Sequence, residues 1–231
     1  MVYSLLVYLL FVPWTLFVIV TGVPLSFLSP NYLHSYARFW ARVSLRLAGV
    51  RLEVEGQEHL PRQGAVIFMP NHQSNLDILA LFAGLPVQFR WLAKKELFSI
   101  PLFGFAMRRT DYIPVDRSDR RAAIASMNLA AQKIAGGTSI VLFPEGTRST
   151  DGHLLPFKKG GFMLALQAQV PIVPVALQGS REAMPKHSWR IRPGTIRVQI
   201  FPAVATEGLG VADRDRLMEE TRRPLAGWPK Q

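Results

Sequence analysis

Residues 71–77 read NHQSNLD and follow the apolar run AVIFMP at 65–70. A histidine and an aspartate five residues apart are the parts of a general-base pair. Nδ1–H of the ring donates to the carboxylate, which fixes the tautomer and leaves Nε2 to take a proton. On one continuous helix the two side chains would stand roughly 140° apart, because each residue turns about 100°. Contact therefore requires His72 to precede the helix. Ser74 supplies a start signal, with Asp77 three residues on in an S-x-x-D capping arrangement. That puts His72 in a strand-to-helix turn, at the end of a strand where open α/β sheets bind ligands. The same spacing also arises when the aspartate only caps a helix and the histidine is an ordinary loop residue.

A second stretch, SIVLFPEGTRS at 139–149, has the same form, an apolar strand running into a polar tip. Pro144 ends the ladder, Gly146 lets backbone approach a ligand, and the backbone N–H groups of its turn are candidate donors to an oxyanion. Glu145 and Arg148 flank it, and Arg148 suits bidentate recognition of a phosphate. Lys158 and Lys159 then precede Gly160-Gly161 and a helical run, a setting that favours anions. The pattern G-x-x-x-x-G-K-[ST] is missing, so a Walker-type nucleotide loop is not supported. A third cluster lies in LAKKELFSIPLFGFAMRRTDYIPVDR at 92–117, where Lys94, Lys95 and Arg117 bracket the apolar SIPLFGFAM. Cations beside such a surface suit a phosphorylated molecule with a fatty chain.

The elements that must position these groups alternate. RLEVEG (51–56), AVIFMP, FRWLAKK, DYIPVDR, SIVLFPEG and PIVPVALQGS read as strands. LDILALFA (76–83), RRAAIASMNLAAQKIA (120–135) and FMLALQAQ (162–169) read as helices, the second stopped by Gly136-Gly137. The expected fold is α/β, with a largely parallel central sheet flanked by helices. RIRPGTIRVQIFPAV, with Pro193-Gly194 at its centre, predicts a β-hairpin. ADRDRLMEETRR predicts a polar terminal helix. Residues 49–231 are expected to form one domain.

Residues 1–48 have a different character. Before the first charged side chain, Arg38, the chain is dominated by Leu, Val and aromatics. Residues 3–20 as a helix would span about 27 Å, close to a bilayer core. A signal peptide is disfavoured, because no basic n-region or A-x-A-like site is present. Pro13 and Gly22-Val-Pro24 could divide the segment into two short helices that enter one leaflet and return. Arg38, Arg42 and Arg46 recur every four residues, giving a basic helix face suited to headgroups and a cytoplasmic side.

The 27 Lys and Arg against 16 Asp and Glu leave +11, which calls for an anionic partner. The chain has no cysteine, so disulfides, thiolate metal sites and a cysteine nucleophile are excluded. G-x-S-x-G is also missing, which argues against a serine acyl-enzyme. Nucleic acid is disfavoured as the anion, since no reading motif accompanies the charge. A membrane-anchored protein that only binds anionic lipids would show the same composition.

Taken in order, NHQSNLD, AKKELFSIPLFG with DYIPVDR, FPEGTRS and VPIVPVAL (170–177) resemble the four motif blocks of the 1-acyl-sn-glycerol-3-phosphate acyltransferase family, the PlsC-like enzymes. The resemblance covers about residues 50–180, and its first and third blocks are specific. It implies acyl transfer from acyl-CoA or acyl-carrier protein, as co-substrate and with no cofactor or metal, to the sn-2 hydroxyl of lysophosphatidate, yielding phosphatidate. It makes His72 the base and Asp77 its orienter. It carries phosphate binding onto Lys94, with Lys95 as the competing choice, and onto Arg148, with Arg117 as a helper. Glu145, Gly146 and Thr147 fall in the substrate-binding block, the first two shaping the acceptor pocket. It further implies an enzyme on membrane lipids at the cytoplasmic face of the bacterial inner membrane. Another lyso-lipid or glycerol 3-phosphate is the competing acceptor.

Overall fold

The computed structural model describes residues 1–116 and 118–228. Helix α1 (Val2–Gly22) carries no charged side chain and runs uninterrupted through Pro13. By length and composition it could cross a membrane. Pro13 therefore does not divide the segment. The chain reverses only over residues 23–29, where Ser29 caps helix α2 (Pro30–Leu47) by accepting the Asn31 N–H at 3.2 Å and Pro30 takes the first helical position. The two helices are antiparallel, and they brace each other near the proline. Trp14 Nε1–H donates to the Trp40 carbonyl at 3.3 Å, and Trp40 Nε1–H donates to Thr15 Oγ1 at 3.0 Å.

One stripe of α1 packs inward through Val7, Val18, Ile19 and Gly22, while Leu5, Leu6, Leu9, Leu10, Leu16, Phe17 and Val20 stay exposed. Such an apolar outer face is costly in water and points to another environment. The second helix is docked through His34, fully buried, whose Nδ1 lies 3.1 Å from Tyr112 Oη and whose ring meets Phe89 edge-on. Burial, with Arg90 and Arg38 nearby, pushes this imidazole down to about 3, so it is neutral.

Strand β1 (Val50–Glu55) opens a seven-stranded sheet. It is followed by β2 (Ile67–Pro70), α3 (Leu76–Gly84), β3 (Phe89–Lys94), α4 (Phe103–Arg109), β4 (Ile113–Val115), α5 (Arg120–Ala135) and β5 (Ser139–Val141). Then come α6 (Lys159–Ala168), β6 (Ile172–Gln178), the single turn α7 (Ser180–Ala183), β7 (Gly194–Ile200) and α8 (Arg214–Gly227). The strand order is β1-β7-β6-β2-β5-β3-β4, with every pairing parallel except β6 with β7. The fold is thus α/β with a mostly parallel sheet. Alternation splits the core: Phe68, Val141, Val173 and Val175 face α2 and α3, while Ile67, Met69, Ile140 and Ile172 face α5, α6 and α8. Both faces are covered, which is why these strands read as continuous apolar runs.

The hairpin expected around Pro193-Gly194 does not form. Gly194 begins β7, which pairs with β1 on one side and β6 on the other. The residues before it spend their backbone bonds elsewhere: Ile191 N–H donates to Ser4 Oγ at 2.9 Å and Arg192 N–H to the Ala183 carbonyl at 2.9 Å. The terminal helix α8 is less purely polar than its sequence suggests. It buries Leu217 and Leu225, and Arg222 reaches the carbonyls of Leu155 and Leu154 at 3.0 and 3.3 Å. Strands β2, β5, β3, β4 and β6 share one direction, so the segments that follow them collect along one edge of the sheet.

Candidate active site

At that edge β2 ends in Pro70, and Asn71 prolongs the ladder with its side chain. Nδ2–H donates to the Leu177 carbonyl at 3.0 Å and Oδ1 accepts the Leu177 N–H at 2.6 Å. The next residue, His72, therefore leaves the sheet from a fixed point. Two residues on, Ser74 Oγ accepts the Leu76 N–H at 3.1 Å and donates to the Met184 carbonyl at 2.7 Å. Asp77 closes the cap by accepting the Ser74 N–H at 2.8 Å.

The same carboxylate oxygen, Asp77 Oδ2, lies 2.8 Å from His72 Nδ1 and accepts the Gln73 N–H at 2.7 Å. An oxygen already receiving two backbone N–H groups is an acceptor, so the ring proton is assigned to Nδ1 and Nε2 keeps its lone pair. Asp77 is 0% exposed while the His72 side chain is 14% exposed, so of the two only the ring is open to solvent. Phe143 stacks on the imidazole with 3.7 Å between centroids and 12° between planes, and Trp91 stacks on Phe143 in turn. Sequence reasoning missed Phe143, although it sits in the third motif block. An aromatic face at that distance steadies the ring and attracts the positive charge it gains on protonation.

The segment after β5 is fastened onto this turn. Glu145 Oε1 accepts the His72 N–H at 2.7 Å, Oε2 accepts the Leu155 N–H at 2.8 Å, and the Ser149 N–H donates to the His72 carbonyl at 2.8 Å. Glu145 is 2% exposed with both oxygens engaged, so it does not line an acceptor pocket as expected; it holds His72 in place. Burial, with Asp77 nearby, pushes its carboxyl up to about 7, against the opposing pull of the Leu155 and His72 N–H groups and of Arg222. Gly146 adopts φ +71°, and its N–H donates to the Phe143 carbonyl at 3.1 Å. That donor is committed to the turn, so among the N–H groups of this turn that the sequence offers to an oxyanion the one of Gly146 is already engaged.

Arg148 sits between these anchors, one residue from the Ser149 bond to His72. It is half-buried, and its guanidinium makes no hydrogen bond or ion pair with another described residue. Its carbonyl accepts Lys186 Nζ at 2.8 Å, and the exposed Thr147 hydroxyl lies 3.5 Å from the same ammonium. Lys186 brings a further cation to the site from the segment after α7. No sequence signal marks it, because only tertiary folding joins it to Arg148. Lys158 lies over Gly146, with its Cγ 3.4 Å from where a Cβ at that glycine would stand.

Lys94 ends β3, two strands from β2 and so about 10 Å along the edge. It is exposed and pairs with Glu96 at 3.5 Å. Its neighbour Lys95 is engaged by Asp116, whose carboxyl is held well below the usual range by that contact and by Ser118. Of the two lysines, Lys94 is the freer. Arg117 lies outside the described residues. Among the described residues, no three His, Asp or Glu side chains converge as a metal-ligand set.

An acyltransferase family model matches residues 51–178, more than half the chain and a span that holds all four motif blocks. The chain belongs to this acyltransferase family. It is 36% identical over 197 residues to a 1-acyl-sn-glycerol-3-phosphate acyltransferase of Limnanthes alba, covering 85% of this chain and 69% of that protein. It is 34% identical over 215 residues to the human 1-acyl-sn-glycerol-3-phosphate acyltransferase alpha, covering 92% of this chain and 76% of that protein. The crystal structure of the 1-acyl-sn-glycerophosphate (LPA) acyltransferase PlsC from Thermotoga maritima superposes with a TM-score of 0.82 at 25% identity, over 100% of this chain and 99% of that one. The acyltransferase fold in that comparison extends over α1, α2 and α8, which lie outside the family-model match.

Proposed function

We propose that this acyltransferase moves a fatty acyl group from a thioester, acyl-CoA or acyl-carrier protein, to the sn-2 hydroxyl of 1-acyl-sn-glycerol 3-phosphate, forming phosphatidate. The observation that carries the reading is the His72–Asp77 contact, clasped to the loop that presents Arg148. Three relatives that carry this activity in their names support the acceptor.

In the proposed reaction, His72 Nε2 removes the proton from the substrate hydroxyl while Asp77 balances the imidazolium. The oxygen attacks the thioester carbonyl to give a tetrahedral intermediate. That intermediate collapses, the C–S bond breaks, and the leaving thiolate takes the proton from His72. A positioned base of this kind contributes about 10²–10⁴ in rate. Direct transfer is favoured over an acyl-enzyme, because Ser74, the hydroxyl beside His72, is wholly buried and bonded to Met184. Arg148, with Lys94 further along the edge, is assigned to the acceptor phosphate, and Thr147 and Lys186 border it.

The proposed seat is monotopic, in the cytoplasmic leaflet of a bacterial inner membrane; the α1–α2 pair supports the membrane contact, with α1 as the apolar element and exposed Arg42 and Arg46 among headgroups. Ile100, Leu102 and Phe105 of the third cluster are exposed beside the turn holding Phe27 and Leu28, extending the same greasy surface. An acceptor drawn from the bilayer keeps its chain there, which avoids about 0.8 kcal/mol per exposed methylene. Radiolabelled acyl transfer onto lysophosphatidate, with other lyso-lipids and glycerol 3-phosphate as competitors and both donors in parallel, tests the reading. Product from lysophosphatidate that His72→Ala abolishes is expected. Preferential labelling of another acceptor would overturn the substrate.

A further inference from the structure

We propose that the turn carrying Trp189 is a second lipid-contacting element, one that places an indole in the headgroup layer and selects anionic surfaces. It rests on the membrane reading of α1 and adds a separate site to it. Trp189 is 80% exposed, more than any other aromatic side chain among the described residues. The turn that presents it is well tied: the Ser188 N–H donates to the Pro185 carbonyl at 3.1 Å, the Arg190 N–H to Ser188 Oγ at 3.1 Å, and the Arg192 N–H to the Ala183 carbonyl at 2.9 Å. The indole is thus held outward by an anchored backbone.

Its location points to the occupant. Ser4 Oγ accepts the Ile191 N–H at 2.9 Å and donates to the Ile191 carbonyl at 3.3 Å, so the Trp189 turn is fixed to the first turn of α1. There it continues the uncharged surface of Val2, Leu5, Leu6 and Leu9. Arg190 and Arg192 follow Trp189 in the same segment, exposed and without a carboxylate partner among the described residues. Antiparallel α2 brings exposed Arg46 to the same end, where Gly49 abuts Tyr3 and Pro193. An indole between apolar surface and unpaired guanidinium groups matches the headgroup boundary of an anionic bilayer. An acidic carrier protein would also find the charges complementary. The continuity with α1 and the way the indole stands proud of its turn favour lipid.

The test uses the full chain, diluted from detergent into vesicles of phosphatidylcholine alone or with added phosphatidylglycerol. Each arginine near an anionic surface is worth about fivefold in partition. The variant Trp189→Ala/Arg190→Ser/Arg192→Ser is therefore expected to lose at least about tenfold in binding to the anionic vesicles and much less on phosphatidylcholine. Retained acyl transfer onto lysophosphatidate in detergent micelles shows that it folds. In the otherwise native protein, Trp189→Phe is expected to remove a fluorescence component quenched by lipids brominated near the headgroup. Unchanged partition onto anionic vesicles overturns the proposal. So does unchanged partition joined to a raised KM for acyl-carrier protein alone, which would make the turn a donor dock. A wild-type protein that binds neither vesicle overturns the reading of α1 as well.

Discussion

The backbone N–H of His72 donates to Glu145 Oε1 at 2.7 Å, joining the proposed base to the loop that carries Arg148. With the Ser149 N–H on the His72 carbonyl, both peptide groups of the base are held by the segment after β5. The proposed base and the arginine assigned to the acceptor phosphate thus sit on two segments bonded to each other, and changes to the clasp that displace His72 should be felt in kcat.

Glu145→Gln replaces one acceptor oxygen with an amide that faces a backbone N–H. A loss of about 1–3 kcal/mol in stability is expected. A fall in kcat with little change in either KM should accompany it, read from denaturant melts and steady-state kinetics.

Glu145 also predicts a pH dependence. Its carboxyl is raised to about 7 from the ordinary 4.5, so ionisation is less favourable in the folded chain than in the unfolded one. Below the lower value both states are protonated and the group favours the fold. That stability is lost as pH rises through the folded value near 7. The unfolding free energy of the wild type relative to Glu145→Gln should therefore fall across this window and level off above it. A rising difference would contradict the assignment.

Asp77→Asn keeps an oxygen for the cap and removes the charge opposite the imidazolium. A loss of about 10²–10⁴ in kcat is expected, with little change in the melting temperature. Asp77→Ala should lose the cap as well, at a further cost of about 1 kcal/mol in thermal stability.

Phe143→Leu keeps bulk and removes the stacked face. An aromatic contact of this kind is worth about 0.5–1.5 kcal/mol, so kcat should fall roughly two- to tenfold with KM unchanged. A change in KM alone would place Phe143 against substrate instead.

Arg148→Ala should raise KM for lysophosphatidate and leave KM for the thioester donor alone. Arg148→Lys should recover only part of the loss, because a single ammonium cannot form the bidentate contact. Competition by inorganic phosphate, weakened in both variants, provides an independent readout.

Much of the scaffold was legible because a parallel sheet covered on both faces writes itself as unbroken apolar runs. IFMP and IVPVALQ could hardly be anything but central strands. The helix at 120–135 was legible from its stop at Gly136-Gly137 and its composition. Pro193-Gly194 misled because a turn dipeptide predicts local pairing, while Ile191 is claimed by Ser4 from the other end of the chain and Arg192 by Ala183 in the preceding turn. The direction of Glu145 was equally hidden, since a polar residue at a strand tip can face a ligand or a neighbouring loop. Lys186 lay beyond any local rule, since it reaches Arg148 across 38 residues. The His72–Asp77 geometry was accessible because it rests on local cap chemistry and on the arithmetic of helical turns.

Val7, near the start of the first helix, belongs to the same core cluster as Leu45, Val50 and Ile196. Trimming the first twenty-odd residues to obtain a water-soluble fragment would therefore uncork the interior of the catalytic body, leaving a hole where a valine had been and stripping Met184 and Ile191 of their cover. In this chain the greasy leader is a structural wall of the enzyme, so preparations that keep it in amphiphile should be the ones that stay folded.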